Sequence, residues 1–210
     1  MNDTVKRKRR AVNDQKEIIK QQAKQRPVKK PEMKQPHITQ PAKKHAGEPG
    51  RQPQHRAFIS LGSNINPAEN IRRAVALLRE HAEVTELSAC YETSPVGSDG
   101  PNFLNMTVAL LTDLDTAGLK AQVLGPIENQ LGRVRTEDKN APRTIDLDIV
   151  VFDEQVIDED LWRRVHLALP LSELLPDLKH PESQQPLREV AQRLLEQDAV
   201  IPRPELNFSV

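Results

Sequence analysis

Cysteine and long apolar runs are scarce in this chain of 210 residues, and both shortages exclude classes of protein. Cys90 is the single cysteine, so no intramolecular disulfide can form and a disulfide-stapled secreted domain is excluded. A reducing compartment, the cytoplasm, fits this usage. No apolar run is long enough to span a bilayer, and none follows the basic start at residues 6–10. We therefore expect neither a membrane anchor nor a secretory signal.

The first 55 positions contain no Phe, Trp or Tyr, and we do not expect them to build a core. This segment contains 15 Lys or Arg against 5 Asp or Glu, so the zero net charge of the chain hides a segment of +10 and a remainder of −10. Such a composition buries too little apolar surface to offset the entropy of ordering. We expect a disordered basic tail at residues 1–55 and a folded domain at residues 56–210. The tail fits a solvated extension, an arm that binds RNA or another polyanion, or a segment that folds back on the domain.

A glycine-rich Walker loop is also missing, so phosphate binding has to come from arginines and metal ions. Asp146 and Asp148 precede an apolar, β-branched run, so on a strand their side chains share one face. Adjacent carboxylates repel unless they share a cation or a proton, and oxygen ligands favour Mg²⁺, which completes its shell with water and phosphates. Three nearby arginines are the expected partners of those phosphates: Arg133, Arg135 and Arg143.

An Asp-x-Asp pair on a strand also occurs by chance, and arginines beside it are often plain salt-bridge partners on a solvated surface. The order of the whole segment favours a site for phosphoryl or pyrophosphoryl transfer. It runs Gly-Arg-x-Arg, a short polar loop, Pro-Arg-x-x-Asp-x-Asp and then an apolar strand.

Four ordered motifs resemble those of a known family. They are Phe58–Asn64, Tyr91–Gly97, Phe103–Asn105 and Lys139–Val150. Together they resemble the 6-hydroxymethyl-7,8-dihydropterin pyrophosphokinases of folate biosynthesis, over about residues 57–182. The resemblance implies two small-molecule substrates, ATP and the dihydropterin. It also implies transfer of pyrophosphate from ATP to the hydroxymethyl group of the pterin, with release of AMP.

The same resemblance implies a role for each residue that matches a family motif. Asp146 and Asp148 would hold two Mg²⁺ ions, and Arg133 and Arg143 would neutralise the transferring group as catalytic residues. Three residues would contact ATP: Glu128, Arg135 and Arg164. Six would bind the pterin, among them a stacking aromatic and an amide that bonds the ring edge: Thr93, Pro95, Val96, Phe103, Asn105 and His166.

The chain departs from the family pattern near residues 160–166, where the family usually has a Pro-His motif that contacts ATP phosphates. The segment is shorter here and lacks that motif, and His166 takes the place of an aromatic residue that sandwiches the pterin. Two alternatives therefore stay open. One is a diverged pyrophosphoryl transferase that acts on a related pterin, and the other is a non-catalytic pterin- or nucleotide-binding protein with an RNA-binding tail.

Hydrophobic periodicity predicts alternating strands and helices after the tail. Strands are expected at residues 57–61, 84–92 and 103–112, at the Asp-x-Asp segment, and at a short edge near residue 155. Helices are expected after Asn66-Pro67, at 116–131 with a kink or break at Gly125-Pro126, and at 186–197. The order strand-helix-strand-strand-helix-strand predicts a ferredoxin-like α+β sandwich with a mainly antiparallel sheet.

Overall fold

The computed structural model describes residues 55–95, 100–134, 141–206 and 208. Residues 1–54 of the expected tail, Val96 and Arg135 lie outside these residues. Strands β1 to β7 are His55–Ser63, Glu83–Leu87, Tyr91–Thr93, Phe103–Thr112, Asp146–Phe152, Gln155–Val156 and Val200–Pro202. Helices α1 to α5 are Pro67–His81, Thr116–Leu119, Gly125–Gln130, Val165–Leu174 and Leu187–Leu195. A π turn at Lys120–Leu124 joins α2 to α3, and a 3-10 turn covers Glu159–Trp162.

The described residues form a seven-stranded sheet in the order β6-β5-β1-β4-β3-β7, with β2 also paired to β4. Each of these pairings is antiparallel. The inner order β5-β1-β4-β2, with helices after β1 and β4, is that of a ferredoxin-like sandwich, so the predicted fold class is confirmed. In the described part of the chain, every helix is too short or too polar to cross a lipid bilayer.

One face of the sheet is apolar along its whole length. Alternate residues of β1, β4 and β5 point to it and are buried there, for example Ile59, Met106 and Leu147. The helices on this side bury residues at helical spacing, as Ile71 and Leu78 do on α1. This layer is the larger of the two apolar cores.

The opposite face changes character along the strands. At one end Phe58 of β1 and Ala109 of β4 pack with the apolar sides of α4 and α5. Two residues further along β1, the same face carries Ser60 and then Gly62, beside the carboxylates of β5. The two C-terminal helices therefore cover the apolar end of this face, and its polar end borders a cavity.

The expected strand at residues 84–92 is wrong as a single element, because it is divided into β2 and β3. Both parts pair with β4, and the division falls at Ser88. The backbone N–H of Ser88 donates to the carbonyl of Thr107 at 2.9 Å, and the Ser88 hydroxyl accepts from the N–H of Thr107 at 2.8 Å. The side chain thus replaces a strand carbonyl at the irregularity.

Two further differences come from proline. Before the kink or break expected at Gly125-Pro126 the helix widens into a π turn, in which the N–H of Gly125 donates to the carbonyl of Lys120. Helix α4 was not expected from the sequence, because Pro170 lies in its interior and a proline usually ends a helix. The predicted strand at 103–112 and closing helix near 186–197 are confirmed as β4 and α5.

Candidate active site

A cavity of about 340 Å³ lies at the polar end of the sheet. Its walls come from β1, β3, β4, β5 and the segment that leads into α4. Nine residues that the sequence singled out line it together: Thr93, Pro95, Phe103, Asn105, Arg143, Asp146, Asp148, Arg164 and His166. Residues that are 73 positions apart in the chain, Thr93 and His166, thus face one space.

The end of the cavity on β3 and β4 offers an amide and an aromatic ring. Asn105 is 4% exposed, and its Nδ2 donates to Oγ1 of Thr93 at 3.0 Å, which fixes the orientation of the amide. Phe103 lies two residues earlier on the same face of β4, partly exposed. A Cβ on Gly62, which pairs with Asn105, would meet its Oδ1 at 3.4 Å. The glycine keeps the floor between the amide and β5 free of a side chain.

Asp146 and Asp148 form the other end and share one face of β5, as predicted. In the sheet register they lie opposite Gly62 and Ser60 of β1. Burial raises the pKa of Asp148, and the neighbouring Asp146 carboxylate raises it further. A cation bound between the two would relieve that repulsion, and the donors are oxygen atoms only, so the pair fits a hard divalent ion.

Two guanidinium groups bind the Asp146 carboxylate, those of Arg133 and Arg143. Arg143 is fixed by its backbone: its N–H donates to Oδ1 of Asn64 at 2.7 Å, and the N–H of Asn64 donates back to its carbonyl at 3.1 Å. This exchange ties the loop before β5 to the end of β1. Arg143 therefore enters the cavity from a defined position, with its Cζ 5.9 Å from the centre of the Phe103 ring.

Glu128 and Arg133 lie behind the carboxylate pair and cover the open edge of β5. The N–H of Leu147 donates to Oε1 of Glu128 at 3.0 Å, and Nη1 of Arg133 donates to the carbonyl of Ile145 at 2.8 Å. Glu128 Oε1 and Arg133 Nη1 are 3.5 Å apart, and both side chains are largely buried. Neither residue lines the cavity, so nucleotide binding by Glu128 and charge neutralisation by Arg133 stay predictions.

The third wall is the start of α4. Arg164 is the residue before the helix, and His166 lies in its first turn. Burial lowers the pKa of His166, and the Arg164 guanidinium lowers it further, so the imidazole is neutral at pH 7. Trp162 does not line the cavity; it is 6% exposed in the apolar core under α4, and its ring lies 4.9 Å from that of His180.

Six lining residues were given no role in the sequence analysis, although the first three lie within its motifs: Ser60, Gly62, Ser94, Asp158, Asp160 and Leu167. Ser60 and Gly62 follow Phe58 at a spacing of two, so the switch from apolar to polar on one face of β1 is the signal that could have found them. The two aspartates give no such signal. Asp158 caps the 3-10 turn by accepting from the N–H of Asp160 at 3.0 Å, and only the fold brings both to the cavity.

Comparisons with known proteins identify the family. Residues 58–176 match the family model described as 7,8-dihydro-6-hydroxymethylpterin-pyrophosphokinase (HPPK). A Bacillus subtilis protein named 2-amino-4-hydroxy-6-hydroxymethyldihydropteridine pyrophosphokinase is 42% identical over 130 residues, which cover 56% of this chain and 77% of that protein. A protein of the same name from Pseudomonas aeruginosa is 35% identical over 139 residues, which cover 60% of this chain and 85% of the relative.

A solved structure shows the same fold. The crystal structure of Plasmodium falciparum HPPK-DHPS wild type with pterin and p-hydroxybenzoate gives a TM-score of 0.55 at 13% identity. The likeness covers 70% of this chain and 44% of that one, so the chain spans less than half of that protein. With the match to the family model and the two bacterial relatives, the conclusion is that this chain belongs to the 7,8-dihydro-6-hydroxymethylpterin-pyrophosphokinase family.

Proposed function

We propose that the protein transfers pyrophosphate from ATP to the hydroxymethyl group of 6-hydroxymethyl-7,8-dihydropterin and releases AMP, a step of folate biosynthesis. The observation that carries the proposal is one cavity that joins the Asp146 and Asp148 carboxylates to the Phe103 and Asn105 side chains. Carboxylates and guanidinium groups suit metal-bound phosphates, whereas an aromatic ring beside a fixed amide suits a flat heteroaromatic ring. The two bacterial relatives carry the name of this activity.

The pterin would lie between β4 and the start of α4. Phe103 offers its ring for stacking, and Asn105, oriented by Thr93, offers its amide to the polar edge of the pterin. His166 lies across the cavity and is neutral at pH 7, so it adds a second flat ring without a charge. Pro95 and Val96 would complete this wall, and of the two the structure describes only Pro95, which lines the cavity.

In the reaction, the hydroxymethyl oxygen attacks the β-phosphorus of ATP and loses its proton. A new O–P bond forms while the bond from that phosphorus to the α–β bridging oxygen breaks, and AMP leaves with that oxygen. Little covalent chemistry remains for the protein, so position and charge carry the rate. Arg143, fixed by its backbone bonds to Asn64, would neutralise the transferring group together with Arg133, while Arg135 and Arg164 would contact the nucleotide.

Asp146 and Asp148 would hold two Mg²⁺ ions. Their shared face, their oxygen-only donors and the raised pKa of Asp148 all favour a divalent cation at this position. When bound, Mg²⁺ would neutralise the phosphate charge that develops as the bridging bond breaks. The role of the two aspartates is then to hold that charge at a fixed distance from the pterin end of the cavity.

The test is the nucleotide product. The full chain is incubated with ATP, Mg²⁺ and 6-hydroxymethyl-7,8-dihydropterin, and AMP and ADP are separated by chromatography. AMP that forms only when the pterin is present, together with a pyrophosphorylated pterin, is the expected result. ADP instead of AMP, or no product while ATP is bound, would overturn the proposal.

We also propose that the domain expected at residues 56–210 is the catalytic domain, and that the basic tail expected at residues 1–55, which has a charge of +10 and ends at the first residue of β1, contacts a polyanion. An RNA arm of this kind binds by counterion release, so its affinity falls steeply between low and physiological salt. Deletion of residues 1–54 should abolish RNA binding in a filter assay. RNA binding that does not weaken as salt is raised, or that persists after the deletion, would contradict this role. The single cysteine, buried Cys90, supports a reducing compartment, and we place the reaction in the cytoplasm.

A further inference from the structure

Lys120 lies beside the site, carries a charge and has no role in the proposed reaction. Its Nζ lies 3.8 Å from Oδ1 of Asp148, and the two side chains are 63% and 49% exposed. Asp146 already binds two arginines, whereas the ion pair that the described residues give Asp148 is this one. The Asp148 carboxylate thus has a mobile, solvated cation as its partner, on a flexible stem.

The position of Lys120 comes from the π turn. Pro126 has no backbone N–H, and the chain widens into the turn Lys120–Leu124, where the N–H of Gly125 donates to the carbonyl of Lys120. One extra residue per turn rotates the helix before it by about 100° relative to the helix after it. Glu128, after the turn, stays buried against β5, while Lys120, the first residue of the turn, reaches Asp148 of the same strand.

The pair between Lys120 and Asp148 is of the kind that breaks easily. Exposed ion pairs contribute little, since water and salt screen them. A divalent ion at Asp148 carries twice the charge of the ammonium group and needs the same oxygen atoms. A lysine and a metal ion therefore compete for Asp148, and the lysine displaced by the metal is left beside the phosphates that the metal binds.

We propose that Lys120 exchanges partners during substrate binding: it holds Asp148 in the metal-free protein, yields that carboxylate to the metal, and then pairs with a phosphate oxygen of the nucleotide. The inference rests on the proposed function and adds a nucleotide-positioning residue to it. It follows that a free divalent ion binds somewhat less tightly than it would without Lys120, because it has to displace the ammonium group with no phosphate for that group to pair with. Binding of the metal then raises the affinity for the nucleotide, and binding of the nucleotide raises the affinity for the metal.

Two titrations of the full-length chain test this exchange in Lys120→Met, which keeps the length of the stem and removes the charge. Mn²⁺ alone, followed by electron paramagnetic resonance, should bind about two- to fivefold more tightly than to the wild type, because its competitor is gone. Mg²⁺ with α,β-methylene-ATP, followed by calorimetry, should bind about tenfold more weakly, because a charge-assisted bond to phosphate is lost.

Two further variants act as controls. Lys179→Met removes the same charge at an exposed residue that does not line the cavity, and should leave both affinities unchanged. Lys120→Arg keeps the charge and should restore the nucleotide affinity. If Lys120→Met behaves like Lys179→Met in either titration, the exchange is overturned. The Mn²⁺ titration does not require turnover. If Mn²⁺ binds Lys120→Met more tightly than the wild type while the wild type releases no AMP, the proposed function is refuted separately from the exchange.

Discussion

Glu128 offers a sharp test, because capping of the β5 edge and nucleotide binding make different predictions for the same side chain. Its carboxylate is 4% exposed, accepts from the N–H of Leu147 at 3.0 Å and lies 3.5 Å from Nη1 of Arg133. Glu128→Ala leaves the Leu147 N–H buried without this acceptor, at a cost of about 1–3 kcal/mol. Arg133 keeps its ion pair with Asp146 in this variant. The total loss in the free energy of unfolding should therefore lie at the low end for a broken buried ion pair, about 3 kcal/mol.

Urea unfolding measures this loss. With a denaturant slope of about 2 kcal/mol per molar, 3 kcal/mol lowers the midpoint by about 1.5 M. Glu128→Gln keeps an acceptor for the Leu147 N–H and removes only the charge, so we expect a smaller loss, about 1 kcal/mol. If Glu128 only caps the β5 edge, the affinity of Glu128→Gln for Mg²⁺ with α,β-methylene-ATP stays close to that of the wild type. An unchanged midpoint together with about a tenfold weaker nucleotide would refute the reasoning and favour direct nucleotide binding.

Three further predictions concern turnover. Asp148→Asn should lower the rate of AMP release by about 10²- to 10³-fold with little change in the unfolding midpoint, since the side chain is 49% exposed; a rate near that of the wild type would contradict a metal site there. Deletion of residues 1–54 should leave AMP release nearly unchanged, and a large loss would show that the tail takes part in turnover. Because burial lowers the pKa of His166, its ring gains a proton only in more acidic solution than an exposed imidazole does. The kcat/KM of the wild type should therefore fall at acidic pH more than that of His166→Phe, and identical pH profiles would exclude the imidazole as the cause.

The local sequence pattern was sufficient to predict those elements whose structure depends mainly on their own residues. The run Phe103–Thr112 was expected as a strand and is β4 at the same bounds, because most of its residues are apolar or β-branched and favour a buried strand. Asp146 and Asp148 share a face for the same reason, since strand geometry alone puts residues two apart on one side. The local pattern did not predict helix α4. Its stability comes from burial of Leu167, Ala168 and Leu171 in the core, which outweighs the cost of Pro170.

Partners across the chain could not be read from local pattern. Glu128 bonds the backbone of Leu147, a contact that depends on where the helix after β4 crosses the sheet edge. The approach of Lys120 to Asp148 further depends on the rotation about the helix axis that the π turn introduces. From the sequence, only a kink or break at Gly125-Pro126 was expected. The motifs thus predicted the residue types of the site, while its charge pairs required the fold.

Those charge pairs bear on how the nucleotide enters. Four carboxylates face or border the cavity in the described part of the chain, on Asp146, Asp148, Asp158 and Asp160. Four cations accompany them, on Lys120, Arg133, Arg143 and Arg164. These eight charges sum to zero, and the metal ions that accompany ATP would balance the charge of its phosphates. A lysine that releases its carboxylate more readily when metal and phosphate arrive together fits this balance, because each exchange replaces one ion pair by another.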